Sequence, residues 1–240
     1  MNISIIIPVL NEAERLEYAI ERAWAAGAAE VIVSDGGSSD DSKEVAKNCR
    51  CQLVEGPPGR AIQQNRAAAV AEGDVLLFLH ADTWLAEGTA AQIEAALATS
   101  VSKVVGGAFR QNIEARGLCF RLLEFGNALR VRVLRLPYGD QGIFVRREIF
   151  ESLGGFPEIP LMEDLRFMRK LRRKHRIALL EGPLHVSARR WQKHGVLRQT
   201  LRNWGILTAE KLGVSPDRLS RHYANHSPER AADSATNTVE

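Results

Sequence analysis

Cysteine is nearly missing: Cys49, Cys51 and Cys119 are the whole set in 240 residues. Three thiols at these positions form no even disulfide framework and no metal-ligand spacing, which fits plain thiols in a reducing compartment. Aromatic residues are also few, at 6%. With no zinc-finger or RNA-binding signature beside them, nucleic acid is not an expected partner. No apolar run approaches the roughly 20 residues needed to cross a bilayer, and Met1-Asn2 leads straight into a strand-like run. Neither a membrane span nor a secretory leader is expected, and the expected location is cytoplasmic. Glycine is absent from the first strand–helix turn, Pro8-Val9-Leu10-Asn11-Glu12. Nicotinamide and flavin dinucleotide sites need a Gly-rich turn there, so that class is excluded. No internal repeat is found.

What is present is ordinary in bulk. Hydrophobic residues are 45% and charged residues 25%, as in a globular chain long enough for one large or two small domains. The charge is unevenly spread. Residues 1–108 carry 8 Lys and Arg against 15 Asp and Glu, a balance of −7. Residues 109–222 carry 23 against 11, a balance of +12. The basic half points to phosphates, a membrane surface or nucleic acid, with solvated helix faces as the plainer account.

The organising stretch is 73–83, G-D-V-L-L-F-L-H-A-D-T. A short apolar run bounded by turn residues predicts a strand buried on both faces. Open α/β sheets bind ligands beyond the carboxyl ends of their strands, where this run delivers Asp82. Capping the following turn is the competing duty for that carboxylate. Residues 3–9 predict a first buried strand, and Pro8 ends its ladder. A helix follows over 14–26, with Leu16, Ala19, Ile20 and Ala23 on one face. A strand at 31–34 leads into D-G-G-S-S-D, 35–40, with Ser39 or Asp40 available to cap a helix reaching 48. Asp35 suits ribose hydroxyls or a base edge, or is an ordinary acidic turn. After a strand at 52–54, a rigid turn delivers Arg60 to the start of a helix reaching 71. Arg opposes the dipole there, which calls for an anionic partner, a phosphate or Asp35. An Ala-rich helix is predicted over 87–99. Strands alternating with helices predict a doubly wound, mostly parallel α/β sheet with helices on both faces.

The later half is more mixed. A strand is predicted at 104–110. In 117–136, Leu118, Leu122, Phe125, Leu129 and Val133 recur at helical spacing, with Arg121, Arg130, Arg132 and Arg135 between them. Such a basic amphipathic stretch would lie on an anionic membrane surface, at the inner face of the membrane. Packing on the core or on a second copy in a homo-oligomer is the alternative. P-Y-G-D-Q-G, 137–142, is a turn before a strand at 143–145, and L-G-G-F-P, 153–157, is another tight turn. M-E-D-L-R-F, 162–167, opens a helix with Glu163 and Asp164, where the dipole favours carboxylates. The same fold-back brings an Asp near the sheet's rim. The basic residues of 166–176 read as that helix's solvated face. Short strands are predicted at 177–180 and 184–186, and S-A-R-R-W, 187–191, follows. A last amphipathic helix is predicted over 195–211, with Leu197, Leu201, Trp204 and Leu207 on one side. Residues 226–240 read as a disordered tail.

Six motifs in order resemble the family 2 glycosyltransferases, nucleotide-sugar enzymes with the GT-A fold. They are I-I-I-P-V-L-N-E at 5–12, S-D-G-G-S-S-D at 34–40, L-H-A-D at 79–82, G-D-Q-G at 139–142, M-E-D at 162–164 and R-R-W at 189–191. The resemblance covers residues 3–191 and is to the small bacterial members. It implies one GT-A domain over 1–225, with a nucleotide-binding half at 1–108 and an acceptor-binding half at 109–225. It implies that Pro8, Asn11 and Glu12 border the base and ribose, that Asp35 contacts the nucleoside, and that Arg60 sits near the base or phosphates. His80, Ala81 and Asp82 occupy the family's D-x-D position, and Asp82 would hold a divalent cation, Mg²⁺ or Mn²⁺. Asp164 matches the general base and Glu163 its companion. Gly139, Asp140 and Gln141, with Arg189, Arg190 and Trp191, would face the acceptor or diphosphate.

The implied donor is a nucleoside-diphosphate sugar, UDP- or GDP-linked. The implied acceptor is carbohydrate, lipid-linked or a small molecule, and direct displacement would invert the anomeric carbon. The chemistry calls for these residue types. A hard cation on carboxylate oxygen stabilises charge on the departing diphosphate, and a second carboxylate takes the acceptor's proton. One position departs from the pattern: His80 stands where the D-x-D motif begins with Asp. It leaves a second reading, a non-catalytic nucleotide-sugar-binding or membrane-docking module. A D-x-D-x-T phosphatase is excluded because its nucleophilic Asp belongs to the first strand. A sugar nucleotidyltransferase is excluded because Pro8 to Glu12 lacks a Gly-rich loop with Arg and Lys.

Overall fold

The structure, a computed structural model, describes residues 1–98, 103–216 and 218–220. These form two compact units. The first comprises Met1–Glu158 and Glu163–Arg189. The second comprises Ile159–Met162 and the described residues from Arg190 onward. The expected tail at 226–240 lies outside the described residues.

In the first unit, β1 (Ile3–Val9), α1 (Ala13–Ala25), β2 (Glu30–Asp35), α2 (Ser42–Asn48), β3 (Gln52–Glu55), α3 (Arg60–Val70) and β4 (Val75–Phe78) alternate as the apolar runs predict. Three elements then follow: β5 (Thr83–Leu85), α4 (Ala90–Ala98) and β6 (Val104–Ile113). After them come α5 (Leu118–Leu134), a 3-10 turn at Gly139–Gln141, β7 (Ile143–Arg146) and α6 (Arg147–Ser152). α7 (Glu163–Lys174) and β8 (Arg176–Val186) complete the unit. One eight-stranded sheet runs in the order β3-β2-β1-β4-β7-β6-β8-β5. β3, β2, β1 and β4 are mutually parallel, β7 is antiparallel to both its neighbours, and β6 pairs with β8 in parallel.

The core follows from the same runs. Ile5, Ile6, Ile7, Ile32, Val33, Leu76 and Leu77 are fully buried, because helices cover both faces of the central strands. Phe78, Phe150, Phe156 and Phe167 stack with centroids 4.8–5.3 Å apart and join β4 to α6 and α7. Right-handed crossovers put α1 and α2 on one face and α3 on the other, because β4 lies on the far side of β1 from β2.

The sequence reading and the structure part company in several places, the short helix α6 among them. β5 was not expected. It pairs antiparallel with the end of β8, Thr83 opposite Val186, a partner too distant to leave a local signal. The two short strands expected at 177–180 and 184–186 are one strand, β8; its pairing with β6 steps from Phe109 opposite Leu180 to Gln111 opposite Leu184. Residues 189–194 form α8 (Arg189–His194), read from sequence only as a motif. The largest difference is in α5. Leu118, Leu122, Phe125, Leu129 and Val133 are 75%, 61%, 62%, 48% and 69% exposed, and the opposite side, Phe120, Ala128 and Val131, is buried. Packing of that stripe on the unit's own core is therefore excluded.

In the second unit, α9 (Val196–Lys211) matches the last expected helix. The side chains of Leu197, Leu201 and Trp204 lie outside the described residues, and Leu207 is half-buried. Among the described residues no helix is long and apolar enough to cross a membrane.

Candidate active site

Register fixes where the loops converge. Val9 lies opposite Asp35, Ile6 opposite Phe78, and Phe78 opposite Ile143. The residues after β1, β2 and β4 and those before β7 therefore share one rim. Strand order reverses direction at the β1–β4 boundary, where open sheets of this kind form their ligand crevice.

On one side of that rim, the floor is held by α3. The Gln63 amide donates to the carbonyls of Val9, at 2.7 Å, and Ser34, at 2.8 Å, joining the ends of β1 and β2. Arg66 donates to Ser34 Oγ and the Asp35 carbonyl, both at 3.1 Å. Its guanidinium crosses Gly56 so closely that a Cβ there would lie 1.5 Å from Arg66 Nη1. The loop above closes on itself. Buried Asp35 accepts the amides of Gly37, at 2.7 Å, and Ser38, at 3.0 Å, made possible by Gly37 at φ +88°. Asn11, at φ 57°, accepts the Ser39 amide at 2.8 Å. Burial pushes the Asp40 carboxyl up, but the Ser42 hydroxyl, at 2.5 Å, and the amides of Ala13, at 3.1 Å, and Ser42, at 3.0 Å, donate to it and hold it below the usual range. Pro8 is half-buried at the rim, and Glu12 pairs with Arg15 at 3.6 Å.

After β4 the chain turns sharply. The His80 amide donates to Thr83 Oγ1 at 3.1 Å, and the Thr83 amide and hydroxyl return bonds to the His80 carbonyl at 3.1 and 3.0 Å. Thr83 closes this turn, and a strand follows it instead of a helix. Ala81 is buried inside the turn, and Asp82 is half-exposed on it. Among the described residues no three His, Cys, Asp or Glu side chains gather as a metal cage. A lone accessible carboxylate fits Mg²⁺ or Mn²⁺ in the way those ions are commonly held, by one or two carboxylates plus substrate phosphates and water.

The second carboxylate comes from α7. Asp164 Oδ2 accepts the amide of Gly139, and its Oδ1 accepts the Leu165 amide at 2.7 Å. The turn that supplies Gly139 is held from below by Arg130. That guanidinium lies 3.3 Å from the Tyr138 ring centroid and donates to the Leu136 carbonyl and Gln141 Oε1, both at 2.7 Å. Gln141 is fully buried and also accepts the Tyr138 amide at 3.1 Å, so it braces the turn. The Asp140 carbonyl accepts from Gln111 at 3.0 Å, and Gln111 is held in turn by Asn127 at 2.7 Å.

Glu163 is buried and faces Arg60 at 3.6 Å. Arg60 therefore has its anionic partner, and it is Glu163 rather than Asp35; the guanidinium near Asp35 is Arg66. Burial pushes the Glu163 carboxyl above its ordinary 4.5, Arg60 pulls it down, and Asp164 pushes it up again. Arg60 is largely open to solvent, which weakens its pull. The folded chain thus binds this proton more tightly than the unfolded chain. Stability from it is fully present below pH 4.5 and is lost as pH rises through the raised value. Glu163→Gln should remove that portion of the pH dependence, read as urea midpoints between pH 4 and 7.

Arg189 ends the first unit exposed, its amide 3.5 Å from Ser187 Oγ. Arg190 and Trp191 belong to the second unit, and the side chain of Arg190 lies outside the described residues. Sequence reasoning assigned no role to Gln63, Arg66 or Gln111, and read Arg130 only as a cation of the basic stretch at 117–136. Each works by bonding backbone or amide groups in a distant loop, and only Arg60's and Arg130's charge drew notice in the sequence.

A strand-order reversal at the β1–β4 boundary, a D-x-D-like turn beyond β4 and an antiparallel β7 preceded by the turn that binds Asp164 define a GT-A glycosyltransferase fold. The model of glycosyl transferase family 2 matches residues 4–154. The chain belongs to that family. It is 26% identical over 173 residues to the glycosyltransferase AglE of Haloferax volcanii, covering 65% of this chain and 56% of AglE, so it spans little more than half of that relative's length. Among solved structures, S. aureus TarS 1-349 with UDP-GlcNAc matches at TM-score 0.60 and 18% identity, over 78% of this chain and 58% of TarS 1-349. Glucosyl-3-phosphoglycerate synthase from Mycobacterium tuberculosis, with Mn²⁺, UDP and glucosyl-3-phosphoglycerate, matches at TM-score 0.57 and 21% identity, over 78% of this chain and 70% of the synthase.

Proposed function

We propose that the protein transfers a sugar from a nucleoside-diphosphate sugar, UDP- or GDP-linked, to an acceptor hydroxyl, inverting the anomeric carbon. The observation that carries this reading is the bond from the Gly139 amide to Asp164, which holds a carboxylate at the rim where β1, β2 and β4 end. In this scheme residues 1–108 hold the donor and 109–225 the acceptor. Pro8, Asn11, Glu12 and Asp35 border the nucleoside. Asp82 would hold a divalent cation, which would supply positive charge to offset the charge developing on the departing diphosphate. Asp164 accepts the acceptor hydroxyl's proton. The hydroxyl oxygen then bonds to the anomeric carbon as the bond to the phosphate oxygen breaks, and the nucleoside diphosphate leaves. Glu163 and Arg60 keep Asp164's surroundings fixed, and Arg189, Arg190 and Trp191 serve the diphosphate or acceptor. The relatives solved with UDP-GlcNAc and with UDP and Mn²⁺ support a uridine donor and a divalent cation.

The test is a thermal-shift screen against UDP, GDP, CDP and dTDP, each with and without Mn²⁺ or Mg²⁺. One nucleoside diphosphate should raise the melting temperature in a metal-dependent way. No shift with any of them would overturn the donor assignment.

The acceptor reading rests on α5. Five large apolar side chains stay in water, each forgoing about 1.5–3 kcal/mol of burial. Exposed Arg121 and Arg132 flank them, and the helix's one acid, Glu124, is paired with Arg121 at 3.0 Å. That face suits the interface of an anionic membrane, and with it a lipid-linked acceptor. Leu122→Glu with Phe125→Glu should release the protein from vesicles containing phosphatidylglycerol. Unchanged vesicle binding together with a smaller oligomer would assign the face to a second copy instead.

A further inference from the structure

The strands that end at the donor crevice begin at the opposite rim, and there the first unit has a second cleft of about 540 Å³. Its position follows from register: Arg146, at the end of β7, pairs with Val75 at the start of β4, and Val104 and Arg176 open the parallel pair β6 and β8. Asp82 lies beyond the other end of β4. Seven Lys and Arg side chains line the cleft against one carboxylate, Glu148.

Four of the seven have a local explanation. Arg172, Arg173 and Lys174 sit in the last turn of α7 and Arg135 is the C-cap of α5, where helix dipoles favour cations. The dipoles do not account for Lys103, before β6, or Arg146, in β7, and separate elements bring all of these to the same cleft. Arg173, Lys174 and Arg176 are exposed, as expected of the solvated face of 166–176, while two of the cleft's cations are held by backbone. Arg146 is committed to the Leu97 carbonyl at 2.9 Å, and Arg172 to the Leu134 carbonyl. Lys103, Arg135, Arg173, Lys174 and Arg176 have no carboxylate within 4.0 Å among the described residues. Like charges gathered in one cleft repel one another. An anion with several charges removes that repulsion at once, and the cleft's volume is that of a small-ligand site.

We propose that this cleft is a second anion site, for a ligand carrying two or more phosphate groups. The phosphates come from a free polyphosphate compound or from a lipid headgroup, and the test separates the two. Tripolyphosphate is titrated by calorimetry into the full chain with EDTA present. Binding is expected, with a loss of more than tenfold in affinity in the triple variant Lys103→Ala/Arg173→Ala/Lys174→Ala, whose side chains hold no backbone group. Asp82→Ala should bind tripolyphosphate as the parent does, which separates this cleft from the donor crevice whatever becomes of the proposed transferase activity. Melting curves establish that each variant is folded. In the second arm, parent and triple variant are sedimented with phosphatidylcholine vesicles with and without phosphatidic acid. Tripolyphosphate binding lost in the triple variant assigns a free phosphate ligand. Sedimentation with phosphatidic acid alone, lost in the triple variant, assigns the headgroup. A triple variant equal to the parent in both arms, a parent that binds neither probe, or tripolyphosphate binding abolished by Asp82→Ala overturns the proposal.

Discussion

Asp164→Asn should lower kcat by roughly a hundred- to ten-thousand-fold, the usual contribution of a general base. The donor's Kd should change little, and the melting temperature should fall by only a few degrees. The geometry explains this split. Asp164 uses one oxygen for the Gly139 amide and the other for the Leu165 amide. An asparagine keeps one acceptor oxygen and sets its amide hydrogens against the other donor, a loss of about 1 kcal/mol. What it cannot do is take a proton. Single-turnover rates with saturating donor would separate the chemical step from binding. Turnover close to the parent's would remove Asp164 from the mechanism and favour a binding module, the role that His80 at the start of the D-x-D position brings to mind.

The second large effect is expected at Asp82. A ligand at a hundred times its Kd stabilises the native state by about 2.7 kcal/mol, which for a chain of this size raises the melting temperature by about 5–10 °C. Asp82→Ala should erase the metal-dependent part of that shift and leave the metal-independent part, which comes from loops built on Asn11 and Asp35. A metal-dependent shift of the parent's size in Asp82→Ala would mean that another group holds the cation. Metal removal with EDTA should reproduce the variant's behaviour in the parent, which provides an internal comparison.

The parts of the fold that the sequence makes legible share one property: their information is local. β1, β2 and β4 are unbroken apolar runs, and burial on both faces requires little else. Asp82 was placed because it ends such a run, and Asp164 because it opens a helix, each within a recognisable motif. The remainder depends on partners far along the chain. T-W-L becomes β5 only because the end of β8 lies alongside it. Arg60 was expected to meet a phosphate or Asp35, since nothing local announces Glu163. The α5 stripe has the periodicity of a buried face and lies in solvent, because periodicity tells which residues share a side and not what that side meets. Arg130 was read as one more cation on that helix, yet it lies beneath the 3-10 turn that carries Gly139.

The crossing of Arg66 over Gly56 also has an evolutionary side. The guanidinium fills the space a methyl group at residue 56 would need, and from there it reaches Ser34 and the Asp35 carbonyl. Selection on one position is therefore selection on the other. A lineage that keeps the long cation at 66 must keep the bare backbone at 56. A lineage that shortens residue 66 frees 56 to acquire a side chain, and must find a new support for the end of β2. Among descendants of this sequence the two positions should drift together or stay fixed together, although ten residues separate them.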